Sequence, residues 1–276
     1  LSAEKLTVRN RVTARVRGRV QREQHSSNAA AKQRSSQATQ QPMPRHILFT
    51  SQKGGVGKST LARSTAVALA CAGRKVLLAD FDVEQRTCLR WQAQRQARRL
   101  EPAIAVAKFS KEAKLDRVSH QYDDVIMDTR GQHDALSLDL AMASDVIFLP
   151  SSFSQDDISP TLTVVEALRG AGIPASRVAV VFCRTGGSAR QAQHARSIFE
   201  MNGIAVLHAV LPQRDGFVSL SATGRTGREA PSAALQSIAM AVDQALLQFI
   251  EAATGSGGAS EAIVPKPADR DVAGAV

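Results

Sequence analysis

The stretch His46-Ile47-Leu48-Phe49-Thr50-Ser51-Gln52-Lys53-Gly54-Gly55-Val56-Gly57-Lys58-Ser59-Thr60-Leu61-Ala62 decides the fold. A short apolar β-rich run ends at Thr50, a glycine-rich turn follows, and a helix-like segment opens at Lys58. Glycines let backbone N–H groups wrap a phosphate at a helix N-terminus. Gly54, Gly55, Val56 and Gly57 form that cradle, with Ser59 and Thr60 at its helical end. Lys58 brings a point charge for the β- and γ-phosphates, and the Ser59 hydroxyl is placed to ligate Mg²⁺. The spacing therefore predicts a site for ATP with Mg²⁺.

Outward from this unit the pattern alternates. β-rich runs occur at 75–80, 104–108, 124–128, 145–150, 178–183 and 204–210, with helix-like stretches at 58–72, 86–99, 157–170, 188–202 and 233–251. Near-continuous apolar strands separated by helices predict an α/β fold, a mostly parallel twisted sheet with helices on both faces. In such sheets ligands sit beyond the strand C-termini. The acidic residues fall there: KVLLADFD ends in Asp80 and Asp82, and YDDVIMD ends in Asp128.

The Lys53-Gly54-Gly55-Val56-Gly57-Lys58-Ser59 form, with Gln52 where an ordinary P-loop has glycine, resembles the deviant Walker A motif of the ParA/MinD superfamily of P-loop ATPases. The resemblance covers about residues 44–250 and implies an ATP-sandwich homodimer, with Lys53 reaching across to the partner's phosphates. It gives catalytic roles to Lys53, Lys58 and Asp82, the last positioning the attacking water. Asp82-Val83-Glu84-Gln85 resembles the family's D-x-D-P-Q segment, with Val83 in place of proline and one residue inserted before Gln85. Asp128 resembles a Walker B carboxylate that holds Mg²⁺ through water, sharing the ion with Ser59, and Thr129-Arg130-Gly131 resembles a second switch. Cys183-Arg184 stands where the family has Asn-Arg, and LPQRDGF resembles its segment near adenine, which assigns Arg184 and Pro212 to the nucleotide.

The length resembles the small, ParF-like partition proteins. For these the family implies nonspecific DNA binding by the ATP dimer, release on hydrolysis stimulated by a ParB-like or cargo-adaptor protein, and a cytoplasmic, nucleoid-associated place. Arg190, Arg196, Arg225 and Arg228 are the candidate DNA contacts. A weakly hydrolysing scaffold and a metabolic P-loop enzyme are the alternatives.

Composition bounds the rest. The 276 residues carry 35 Lys and Arg against 25 Asp and Glu, a net +10 that favours polyanionic partners. Residues 1–42 hold nine basic residues against two acidic ones, and read as a basic disordered extension upstream of a working start at Met43. Residues 43–252 are the expected ATPase domain, and 253–276 a flexible tail. Cys71, Cys88 and Cys183 form no CxxC pair, which excludes a disulfide-stapled scaffold and suits a reducing compartment. With 4% aromatics, a stacking platform for single strands is not expected. No apolar run reaches the ~18 residues of a membrane span, so the last helix is expected to pack on the core and no membrane partner is expected.

Overall fold

The structure, a computed structural model, describes residues 43–131 and 135–255. The expected extension at 1–42 and most of the expected tail lie outside the described residues. Eight strands run β1 (Arg45–Phe49), β2 (Val76–Asp80), β3 (Ala105–Lys108), β4 (Asp124–Asp128), β5 (Val146–Ser151), β6 (Val178–Thr185), β7 (Ala205–Val206) and β8 (Leu211–Pro212). The sheet order is β3-β2-β4-β1-β5-β6-β7, with β8 paired to β6, and every described pairing is parallel.

The helices are α1 (Lys58–Cys71), α2 (Thr87–Ala97), α3 (Glu112–Ser119), α4 (Ala135–Met142), α5 (Gln155–Gly170), α6 (Ala189–Met201), α7 (Asp215–Ser221) and α8 (Ala233–Thr254). They cover both faces. Ile47, Phe49 and Ile126 pack with α1 and α8 residues such as Leu61, Val67 and Leu246 on one side, and Leu48, Val125 and Ile147 pack with α5 and α6 residues such as Val164 and Phe199 on the other. Strand side chains alternate between faces, so a run buried on both must be apolar throughout. Phe148 of β5 stacks on Phe49 at 5.2 Å and meets Phe249 of α8 at 5.7 Å, fixing that last helix to the sheet.

Two differences from the sequence reading matter. The expected strand at 204–210 keeps only two ladder residues; Ile204, Leu207 and Ala209 are buried, but the chain leaves β7 to return to β6 as β8. The last helix runs to Thr254, into the expected tail, and its 22 residues are long and apolar enough to cross a membrane by length and composition. This corrects the expectation that nothing approaches that length. The inner face of α8 is core: Ala239, Val242, Ala245, Leu246 and Ile250 are buried.

Candidate nucleotide site

The loop leaving β1 folds back against β6. At Gly57 the backbone has φ +109°, and a Cβ there would lie 2.6 Å from Cys183 Sγ, so only glycine lets the loop close. The Cys183 thiol donates to the Val56 carbonyl at 2.6 Å. Burial pushes that thiol up to about 12, which keeps it a neutral donor. Arg184, in a left-handed conformation, donates to the Gly55 carbonyl. Pro212 pairs with Thr185, and the Gln213 N–H donates to the Thr185 carbonyl at 3.0 Å. Gly55, Val56 and Gly57 thus meet Cys183 and Arg184 of β6, and Pro212 of β8 pairs with that strand.

Lys58 is buried at the start of α1, its ammonium donating to Ser51 Oγ at 2.9 Å and to the Lys53 carbonyl at 3.1 Å. Burial lowers its pKa, while the charges of Asp128 and Asp82 pull it back up. Ser59 and Thr60 follow in the first helical turn, half-buried.

Asp128 ends β4 in register with Asp80 of β2 and Phe49 of β1. It is fully buried; Oδ2 accepts the Cys88 thiol at 3.1 Å, and Oδ1 has no hydrogen-bond partner among the described residues. Burial pushes this carboxyl up, and Ser59, Cys88, Arg63 and Lys58 draw it back down. An unpartnered buried carboxylate oxygen near a serine hydroxyl, below a glycine cradle, is a donor set that fits Mg²⁺. Burial and the neighbouring Asp128 raise Asp80 to about 6, and it accepts N–H bonds from Asp82, Cys88 and Leu89 at 3.0, 3.1 and 3.4 Å.

Asp82 is half-buried, and its Oδ1 accepts the Gln85 N–H at 3.0 Å. The residue inserted before Gln85 is absorbed by a turn that ends at Arg86, whose φ of 50° caps the start of α2. Lys53 lies on the exposed side of the loop, and its ammonium pairs with Asp157 in the first turn of α5 at 2.6 Å. That contact raises the Lys53 pKa.

Gly131 closes the second switch onto the loop. A Cβ on it would lie 2.6 Å from both Cα and N of Gly54, so both backbones would have to part. Gly131→Ala is therefore expected to weaken ATP binding at least tenfold and to destabilise the fold by about 1–3 kcal/mol, the usual cost of overpacking. Titration with a fluorescent ATP analogue beside a thermal melt checks both. Wild-type affinity in the variant would show that the two backbones are not coupled.

The four arginines expected to contact DNA differ in exposure and in partners. Arg196 is half-buried, donating to the Val206 and Leu207 carbonyls at 2.8 and 2.9 Å and lying over Phe182. Arg228 pairs with buried Asp243 at 3.1 Å, Arg225 is half-buried, and Arg190 alone of the four is exposed. Sequence reasoning missed Asp157 as the holder of Lys53. Cys88 and Cys183 are buried in the core, and both thiols donate to the site.

A glycine cradle at a helix N-terminus, with a buried lysine and strand-end carboxylates converging on it, defines a nucleotide-binding domain of the P-loop class. The chain belongs to the CobQ/CobB/MinD/ParA nucleotide-binding domain family, which matches residues 47–226. Over 189 residues it is 26% identical to the VirC1 protein of Rhizobium rhizogenes, covering 64% of this chain and 80% of that one. The septum site-determining protein MinD of Pyrococcus horikoshii OT3, solved with Mg-ADP, shares the fold at a TM-score of 0.58 and 18% identity, over 74% of this chain and 96% of that chain. A ParA family ATPase from Chlorobium tepidum TLS superposes at 0.57 with 19% identity, over 73% and 98%.

Proposed function

We propose that this protein is a Mg²⁺-dependent ATPase of the ParA type that positions a plasmid, a chromosome region or another large cargo. In this reading two copies pair across two ATP molecules and the dimer binds DNA without sequence preference. A ParB-like or cargo-adaptor protein then triggers hydrolysis and release, in the cytoplasm and on the nucleoid. The observation that carries it is the convergence of Lys53, Lys58, Asp82, Asp128 and Gly131 around one glycine cradle. Family membership and the fold shared with a Mg-ADP-bound MinD support the nucleotide.

Each residue's part follows from its place. The loop amides and the α1 N-terminus receive phosphate oxygens. Lys58 exchanges two neutral oxygens, Ser51 Oγ and the Lys53 carbonyl, for phosphate charge. Ser59 and Asp128 would hold Mg²⁺, which would supply positive charge against the developing phosphate charge. Asp82 accepts a hydrogen bond from water and orients it. Lys53, released from Asp157, carries its charge to the second copy.

The altered switch turn, with Val83 and the left-handed Arg86, favours one second reading: a scaffold that holds ATP and scarcely hydrolyses it. Phosphate release with and without duplex DNA separates the two. Stimulation by DNA and a partner supports the partition ATPase, and ATP binding without release supports the scaffold. Asp82→Ala is expected to keep ATP binding and dimerisation while slowing hydrolysis by about 10²-fold, in the range of lost general-base and orientation effects. Unchanged turnover would place water orientation on another residue.

A further inference from the structure

Residues 85–100 contain five arginines, and no acidic residue lies between Glu84 and Glu101. Most of this stretch is α2, and its two sides differ sharply. Cys88, Trp91 and Arg95 face inward and are buried. The Arg95 guanidinium is consumed there, donating to the Pro102 and Gly224 carbonyls and to both carboxylate oxygens of Glu229. Outward, Arg90, Gln94, Gln96 and Arg98 are exposed, with Arg86 and Arg99 exposed at the two ends.

Arg86 donates to the Val83 carbonyl and Arg98 to Gln94 of its own helix. Among the described residues none of these four guanidinium groups pairs with a carboxylate. At ~1.5 Å per residue the charges from Arg86 to Arg98 extend over about 18 Å. Like charges along one face repel one another, and a partner of opposite and dense charge relieves that repulsion.

We infer that the outer face of α2 is a docking surface for the phosphates of duplex nucleic acid. Guanidinium and carboxamide groups are the side chains that grip phosphate oxygens without reading bases. A duplex offers one negative charge per ~1.7 Å, so about ten lie along this face. A bilayer requires an apolar helix face, and the apolar side of α2 is in the core. A single strand requires exposed aromatic rings, and Trp91 is buried.

The helix is also fastened to the nucleotide site. The Cys88 and Leu89 N–H groups bind Asp80, and the Cys88 thiol binds Asp128. A change at those carboxylates therefore moves the first turn of α2 and, with it, the arginine face. This coupling rests on the nucleotide reading above; the duplex contact rests on the charge pattern alone.

The test uses the full chain with Arg90→Gln, Arg98→Gln and Arg99→Gln combined, glutamine keeping the helix propensity. The reference variant loses the same charge at exposed basic residues elsewhere: Lys114→Gln, Arg117→Gln and Arg177→Gln. Binding of a fluorescent mixed-sequence duplex is followed by anisotropy across a salt series, with and without ATP, beside anionic vesicles and an ATP-analogue titration.

The α2 variant is expected to lose about two to three from the slope of log affinity against log salt, at ~0.9 per phosphate contact, and at least tenfold in affinity. The reference variant should stay within about threefold of wild type, and ATP binding should be unchanged in both. Equal weakening in the two variants, weakening in neither, no duplex binding by wild type, or a loss confined to vesicles would each overturn the inference. Duplex binding that is indifferent to ATP in wild type, yet lost in the α2 variant, would sink the ATP-gated reading and leave the surface standing.

Discussion

Lys58→Ala is expected to abolish useful ATP binding while leaving the empty protein folded. Among the described residues the Lys58 ammonium is buried and donates to two neutral oxygens, those of Ser51 and the Lys53 carbonyl. Burial holds its pKa down, which means that the surroundings compensate the charge incompletely. Its removal thus takes little from the fold. With a triphosphate in the cradle the balance reverses, because losing one partner of a desolvated charge pair leaves the other uncompensated, at about 3–5 kcal/mol. That corresponds to an affinity loss of roughly 10²- to 10³-fold or more. Titration with a fluorescent ATP analogue and a thermal melt check the two halves. Undiminished affinity would remove the phosphate-loop assignment, and collapse of the melt would make Lys58 a structural residue instead.

What the sequence made legible follows from how local each signal is. The β1–loop–α1 unit is contiguous, and its glycines, lysine and hydroxyl lie within nine residues, so both conformation and chemistry could be read directly. The sheet was legible because strands buried on both faces must be apolar throughout, whatever their order. The pairings among Cys88, Asp80 and Asp128 were not, because they depend on β2 and β4 lying in register, a long-range fact that no local pattern encodes. The arginines show the same limit from the other side. The sequence offers Arg196 and Arg228 as candidate DNA contacts, yet Arg196 donates to backbone carbonyls and Arg228 pairs with Asp243, while α2 keeps its charge exposed. The short helices α3, α4 and α7, of eight, eight and seven residues, give too few turns for a 3.6-residue period to stand out. Asp157 was invisible as a partner of Lys53 because 104 residues separate them.

Lys53→Ala is expected to separate nucleotide binding from dimerisation. The Lys53 ammonium has no part in holding the cradle; it points away from Lys58, onto Asp157 at the start of α5. ADP binding should therefore persist, carried by Lys58 and the loop amides. The pair with Asp157 is exposed, and exposed ion pairs contribute little, so a second copy's triphosphate can draw the lysine away. Without the two crossing lysines, two facing triphosphates in a dehydrated interface repel with two fewer positive charges to offset them, and the ATP-dependent dimer should fail. Duplex binding sums many weak phosphate contacts, so a chain that stays monomeric halves their number and should bind far more weakly, most visibly as salt rises. Light scattering and a duplex mobility shift, each with ATP and with ADP, compare wild type and variant in a chain beginning at Met43. That start matters because the +7 carried by residues 1–42 could retain DNA whatever the nucleotide. An ATP-dependent dimer that persists in the variant would refute the crossing lysine. Duplex binding lost in the variant despite an intact dimer would instead place Lys53 among the DNA contacts.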